Sequence, residues 1–441
     1  MKNLRARINT PAKKTLAVFL AISALATVIA TILLWPDHEN PEPQAGLALS
    51  QVISGHSVTG EVVSVSSGRC GSPSSGQLFS GNPTPAPEPP EVPGLSYDIP
   101  MCNQHIVELT SGDHEGQRTL LENSGLPGEP KLQVGDDIRL GFSNERYIFL
   151  DMHRTVPVLA WVAVILLAVL VIGGLRGARA LFGLAMTLAF ILAFLLPGIL
   201  QGGPPTWLAI IAGSFILFLV VPIVHGVNWK SGSALAGTVL ALMLTGAIAQ
   251  LAISTTQLRG LGDENNLVLS LNFPELSIVG LMLAGFIIGA LGVLNDVTIS
   301  QASTVRELHE ADETASAKEL FTSAMRVGRD HIASMVYTLV LTYTGAALPL
   351  LLLLMSSGRG FIQVLTSDAM ATEVLRSGIG ALGLTLAVPM TTFIAASVYA
   401  SSKRSVSARS ASARSASADS ELPDWATEYS PRHAANPDPS R

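Results

Sequence analysis

From Val156 onward this chain is a succession of apolar runs, each close to the length that a helix needs to cross a bilayer. Backbone N–H and C=O groups in lipid must be satisfied within the chain, which leaves helices or closed barrels as spanning structures. About 20 apolar residues cover a hydrocarbon core of about 30 Å. Runs near 156–174, 180–200, 207–225, 232–256, 275–296, 332–355 and 378–402 read as spanning helices. Of 441 residues, 48% are hydrophobic and only 14% charged, whereas soluble domains carry about 25% charge. A single water-soluble core is therefore excluded. The net charge of −6 gives no reason to expect a nucleic-acid partner.

Residues 1–15 carry Lys2, Arg5, Arg7, Lys13 and Lys14 with no acid, and an apolar run from Leu16 to Trp35 follows. A cleaved signal peptide and an uncleaved anchor both fit that order. The run exceeds the 7–15 residues of a signal core and no small-x-small cleavage site precedes Trp35-Pro36, which favours a transmembrane anchor over 16–35. Either reading keeps the basic end in the cytoplasm and exports the polar segment behind the run.

Residues 37–152 form that one long polar segment. Ser57–Ser66, His105–Thr110, Arg118–Glu122, Asp136–Phe142 and Tyr147–Leu150 alternate apolar and polar residues between turn pairs, which predicts a small antiparallel barrel or sandwich. The Pro-rich insert Asn82–Pro93 reads as an extended loop. Cys70 and Cys102, the only two cysteines, bracket that loop. In an exported domain they are expected to pair, closing about 33 residues for roughly 3–4 kcal/mol; two unpaired thiols are the alternative. His56, His105, His114 and His153 lack ligand spacing and read as surface or turn residues, so no metal site is expected.

The short connections sort by charge. Arg176 and Arg179, Lys230, then Arg306, Lys318, Arg326 and Arg329, and finally Lys403 and Arg404 fall on one side, against Arg259, Arg359 and Arg376 on the other. The positive-inside rule then puts both termini in the cytoplasm and 37–152 outside. The expected fold is a membrane α-helical bundle of about eight transmembrane helices with a small extracytoplasmic β-rich domain. The bundle covers 156–402 and the tail 403–441 is too polar to order itself. Gly173/Gly177, Ser233/Gly237 and Gly285/Gly289 have the small-residue spacing of close helix packing, and Pro197, Pro222, Pro349 and Pro389 can each kink a span.

One stretch departs from the greasy pattern. In Gly285–Glu310 the apolar run ends at Leu294 and is followed directly by Asn295 and Asp296, with no Pro or Gly behind them. The helix is therefore expected to continue, with Asp296, Ser300, Ser303 and Glu307 on one face and Asn295, Ile299, Ala302 and Arg306 on the neighbouring stripe. Residues 297–330 suit an amphipathic helical hairpin on the cytoplasmic surface. The next span carries a ladder of His331, Ser334, Thr338 and Thr342. The expectation is that the Asp296 seam packs on Ser334 and Thr338. Such packing would desolvate the carboxylate while hydroxyls solvate it, giving a group able to exchange protons. The plainer reading is a carboxylate at the water interface.

The paired stretches GALGVLNDVTISQASTVREL (289–308) and AMRVGRDHIASMVYTLVLTYTGAALPLLLL (324–353) resemble the YibE/F-like membrane proteins. So does the order of anchor, exported β-domain closing on Asp151-x-x-Arg154, and helical bundle. That resemblance covers most of residues 50–402 and implies a multi-pass protein of the bacterial cell membrane without an assigned activity. A shorter likeness joins Leu294–Asp296 and Val305–Glu307 to the SecF subunit of the accessory export complex, in which proton flow drives export; Gln301–Thr304 departs from that pattern.

Two functions are carried forward. One is transport or export coupled to a proton or ion through Asp296. The other is a non-transporting scaffold whose outer domain binds a cell-envelope partner. No HExxH, GxSxG or catalytic acid pair lies in the spans, so no enzyme is expected, and no cofactor. The expected partners are the lipid bilayer, an envelope or export-machinery protein, and further copies of the chain.

Overall fold

The computed structural model describes residues 11–37, 57–87, 101–143 and 145–400. Lys2, Arg5, Arg7, His56, the part of the Pro-rich insert from Glu88 onward and the tail 403–441 lie outside the described residues. Two compact units result, one of Glu39–Phe182 with Val268–Glu275, the other of the remaining chain.

The first unit holds an antiparallel sheet of six strands: β1 (Ser57–Arg69), β2 (Leu78–Phe79), β3 (Met101–Leu109), β4 (Arg118–Asn123), β5 (Asp137–Ser143) and β6 (Arg146–Met152), in the order β2-β4-β3-β1-β5-β6. The long β1 pairs with both β3 and β5, and a bulge between Val62 and Ser64 helps it curl into a half-barrel. Its inward positions, including Val62, Val107, Leu109, Leu121, Ile138, Leu140 and Tyr147, form one apolar core. A disulfide joins Cys70 to Cys102, with Cα atoms 5.0 Å apart. The strand register corrects the sequence reading of His105. It shares the inward face of β3 with Val107 and Leu109 and is only 2% exposed, rather than standing at the surface or in a turn. Burial lowers its imidazole pKa, partly opposed by the backbone of Leu121 and Leu132, and its Nδ1 has no hydrogen-bond partner. At the end of β6, the Asp151 carboxylate accepts from the Met152 N–H and from Arg154 Nη1, at 2.8 and 2.7 Å.

A helix, α2 (Thr155–Phe190), follows the sheet and is interrupted at Gly174, whose φ of 54° and ψ of −138° are not helical. The chain folds back there so tightly that a Cβ on Gly177 would strike the Val169 carbonyl oxygen. Only glycine takes that backbone without strain.

The second unit is the bundle. It contains α1 (Pro11–Leu33), a π-helical turn at Ile191–Leu195, α3 (Leu196–Leu200), α4 (Pro205–His225), α5 (Trp229–Thr256), α7 (Ile278–Ala311), α8 (Ala317–Ala346), α9 (Leu348–Ser356), α10 (Phe361–Leu365) and α11 (Asp368–Ala400). A short α6 (Glu264–Asn272) precedes α7. Among the described residues six helices are long and apolar enough to cross a membrane, or seven if α8 and α9, bent by 62°, count as one broken span. That break falls where Pro349 enters the first turn of α9. Pro222 and Pro389, by contrast, remain inside α4 and α11.

Leu294 is not the end of its helix. Ser277 caps α7 by accepting from Gly280 N at 3.1 Å, and the helix continues through Asp296 to Ala311. Ser316 and Glu319 then form a reciprocal capping box that starts α8. The hairpin they make turns Val305, Leu320 and Ala324 onto Ala395 and Ala396 of α11. Its apolar side is thus closed by protein.

Candidate functional site

The outer face of α7 is built from small residues. Gly285, Gly292 and Asp296 are exposed, and open space lies where a Cβ would stand on Gly285 or Gly292. Between them a Cβ on Gly289 would come within 2.7 Å of the Tyr343 hydroxyl of α8. One turn beyond Asp296, Ser300 Oγ lies 3.4 Å from His331 Nδ1. These two contacts fix α8 antiparallel beside α7, and Asp296 falls between them.

Beside this face is a cavity of about 220 Å³. Thr187 and Ile191, at the edge of the π-helical turn, form one wall, Leu217 and Val221 of α4 another, and Gly292 and Asn295 of α7 the third. π-Turns widen a helix locally and are frequent where function needs an irregular backbone. The side-chain oxygen of Asn295 is buried there without a hydrogen-bond partner. An orphaned buried acceptor costs about 1–3 kcal/mol, which water or a donor ligand would recover. The neighbouring Asp296 has no hydrogen bond or ion pair among the described residues, and its charge is felt by His225 at the end of α4, as is that of Lys230.

The other residues singled out from sequence are distributed along the same helix. Ser303 donates back to the Ile299 carbonyl at 2.8 Å, Arg306 pairs with Glu310 at 2.7 Å, and Glu307 is exposed. Ile299 and Ala302 face the core. Ser334 and Thr338 are also exposed, and Thr338 donates to the Ser334 carbonyl at 2.9 Å. No hydrogen bond links that ladder to Asp296 among the described residues.

The interior holds polar residues that pattern reading passed over. Gln301 is fully buried and its Nε2 donates to the Ala324 carbonyl at 2.9 Å and to Thr392 Oγ1 at 2.8 Å, tying α7 to α8 and α11. Thr238 of α5 and Thr298 of α7 share a buried hydrogen bond of 2.6 Å. Two reciprocal contacts then lock α5 against α11: the Thr391 hydroxyl abuts Gly237, and the Thr245 hydroxyl abuts Gly383. Neither hydroxyl has a conventional partner. Close approach brings the glycine Cα–H groups within reach of these hydroxyl oxygens, to which they can donate weakly.

Arg376 also needs correcting. It is not in a connecting loop but inside α11, paired with Glu373 at 2.8 Å and with its guanidinium 5.7 Å from the centroid of Phe286. The helix starts early because Asp368 accepts from the Arg259 and Gly262 N–H groups and anchors the loop that follows α5.

Long apolar helices with a glycine-faced, carboxylate-bearing member define a multi-pass helical membrane protein. A family profile described as YibE/F-like protein matches residues 161–401, more than half of the chain. The chain belongs to the YibE/F-like family. No curated protein and no solved structure matches it, so the likeness to SecF rests on its short motif alone.

Proposed function

We propose that this protein moves a solute or cargo across the bacterial cell membrane, with Asp296 as the group that couples transport to a proton or ion. The observation that carries the reading is the cavity at Gly292 and Asn295, with its orphaned amide oxygen, one residue from an exposed carboxylate on an unbroken helix. Ionisable groups at membrane depth are costly and tend to mark pathways. The polar groups there are the Asn295 amide, the Thr187 hydroxyl, which donates to the Gly183 carbonyl at 2.9 Å, and the neighbouring Asp296 carboxylate, a set that suits binding and proton exchange.

At about 1.5 Å per residue, the 46-residue stretch Thr155–Leu200 is far longer than one span needs. The reversal at Gly174 supports dividing it in two, with Arg176 and Arg179 in the cytoplasmic turn. Adding that division to the seven spans gives eight, an even number that puts both termini on one side, and the positive-inside rule makes that side the cytoplasm, with the half-barrel outside. α1 then serves as the anchor; its end is held by Trp35 against Phe194, centroids 5.7 Å apart, and by Asp37 N donating to Gln201 at 3.0 Å.

The scaffold alternative draws on one observation: the α5–α7–α11 interior is closed by its glycine–threonine contacts. Any path must therefore run along the open face of α7. Single cysteines at Gly285 and Gly292 separate the readings. A hydrated path makes both react with a membrane-impermeant thiol reagent, whereas lipid or protein on that face leaves both inert, because the thiolate needs water.

A further inference from the structure

A second cavity, larger than the one at Asn295, lies away from Asp296, where α1 meets the α4–α5 junction. It measures about 410 Å³, within the roughly 300–1,000 Å³ of small-ligand pockets. Ala17 and Leu20 of α1, Val221 and Pro222 of α4 and Leu235 of α5 give it an apolar depth, and Trp229 stands among its lining residues. Behind it α1 packs directly on α5, since a Cβ on Gly232 would lie 3.4 Å from Leu20 and 3.9 Å from Leu16.

A lysine stands over the Trp229 wall of the cavity. Lys13 precedes Ala17 and Leu20 on the same face of α1, by steps of four and three residues. Its Nζ sits 5.6 Å from the centroid of the Trp229 ring. Lys230 follows Trp229 in the chain, and none of the described lining residues is acidic. Val227 at the junction is 94% exposed, an apolar side chain offered to the surroundings of the groove. Tryptophan and snorkelling lysines favour the level of the headgroups, where one end of a side chain is apolar and the other wet.

From this charge complementarity we propose that the groove is a binding site for one anionic phospholipid, its acyl chain along Ala17, Leu20 and Leu235 and its phosphate between Lys13 and Lys230. The bound lipid would fill the groove left beside the direct packing of α1 on the start of α5.

Trp229 reports on the site. The full-length protein is reconstituted in vesicles containing brominated phosphatidylglycerol or, at equal mole fraction, brominated phosphatidylcholine. The Trp229 contribution is taken as the difference from Trp229→Phe. Preferential quenching by the glycerol lipid is expected. Lys13→Gln and Lys230→Gln should each weaken that preference about five-fold, with quenching by the choline lipid unchanged. Equal quenching by the two lipids in the wild type overturns the proposal, as does a preference that both lysine variants retain. Loss of the preference on adding millimolar inorganic phosphate, at constant ionic strength, would assign the site to free phosphate and overturn it too.

Discussion

Replacing Gly383 by alanine probes the packing of α5 on α11 that closes the bundle interior. The added Cβ would collide with the Thr245 hydroxyl and lie 3.2 Å from its Cγ2 and 3.3 Å from its Cβ. Overpacking of a dense core costs about 1–3 kcal/mol, and the better helix propensity of alanine returns up to about 1 kcal/mol. A net loss of about 1–2 kcal/mol is expected. Each kcal/mol moves the midpoint of a domain this size by roughly 2–4 °C. Thr245→Ala removes the colliding hydroxyl and leaves only the 3.3 Å contact, so the double variant should recover most of the loss. Gly237→Ala behaves differently. Its Cβ would meet the Thr391 backbone, with Cα at 3.1 Å, and Thr391→Ala cannot relieve that. The assay is the apparent melting temperature of purified protein in one detergent at one heating rate, because unfolding of such proteins is often irreversible. If Gly383→Ala is as stable as the wild type, or its effect simply adds to that of Thr245→Ala within about 0.5 kcal/mol, the reciprocal contact is wrong.

Gln301→Leu should cost about 1–3 kcal/mol by the same assay, since both donated hydrogen bonds are lost. Gln301→Glu should cost more, because a buried carboxylate would face the Ala324 carbonyl oxygen it now donates to; equal stability of the two variants would deny that geometry. In the half-barrel, His105 is held neutral by burial, so its folded pKa lies below the ordinary value of about 6.5. The unfolded chain takes up the proton first as pH falls through about 6.5, and stability is lost from there down to the folded pKa. Hydrogen exchange in β3 and β4 of the intact protein should therefore accelerate between pH 7 and pH 5 beyond its intrinsic trend. His105→Leu should abolish that excess, and an excess that survives would assign it elsewhere.

The spans are legible because an apolar run of bilayer length has few other uses, and the strands because alternation survives on both sides of a turn. Continuation of α7 past Asp296 can be read from the lack of any Pro or Gly behind it. The burial of Gln301 cannot. Its partners lie 23 and 91 residues away, and a glutamine among serines and threonines looks like a wet face until α8 and α11 cover it. Arg376 reads as a loop residue because its helix starts at Asp368, set by hydrogen bonds to a loop more than a hundred residues earlier. His105 carries a usable signal: Val107 and Leu109 follow it at period two. The cavity at Asn295 depends on a π-turn in a different helix, which no local pattern near Asp296 announces.

Coupling through Asp296 is tested most directly by proton flux in reconstituted vesicles under an imposed pH gradient, comparing the wild type with Asp296→Asn. The wild type should carry a flux that the variant loses while it still folds and inserts. Equal flux in the two proteins, or none in either above protein-free vesicles, would contradict it.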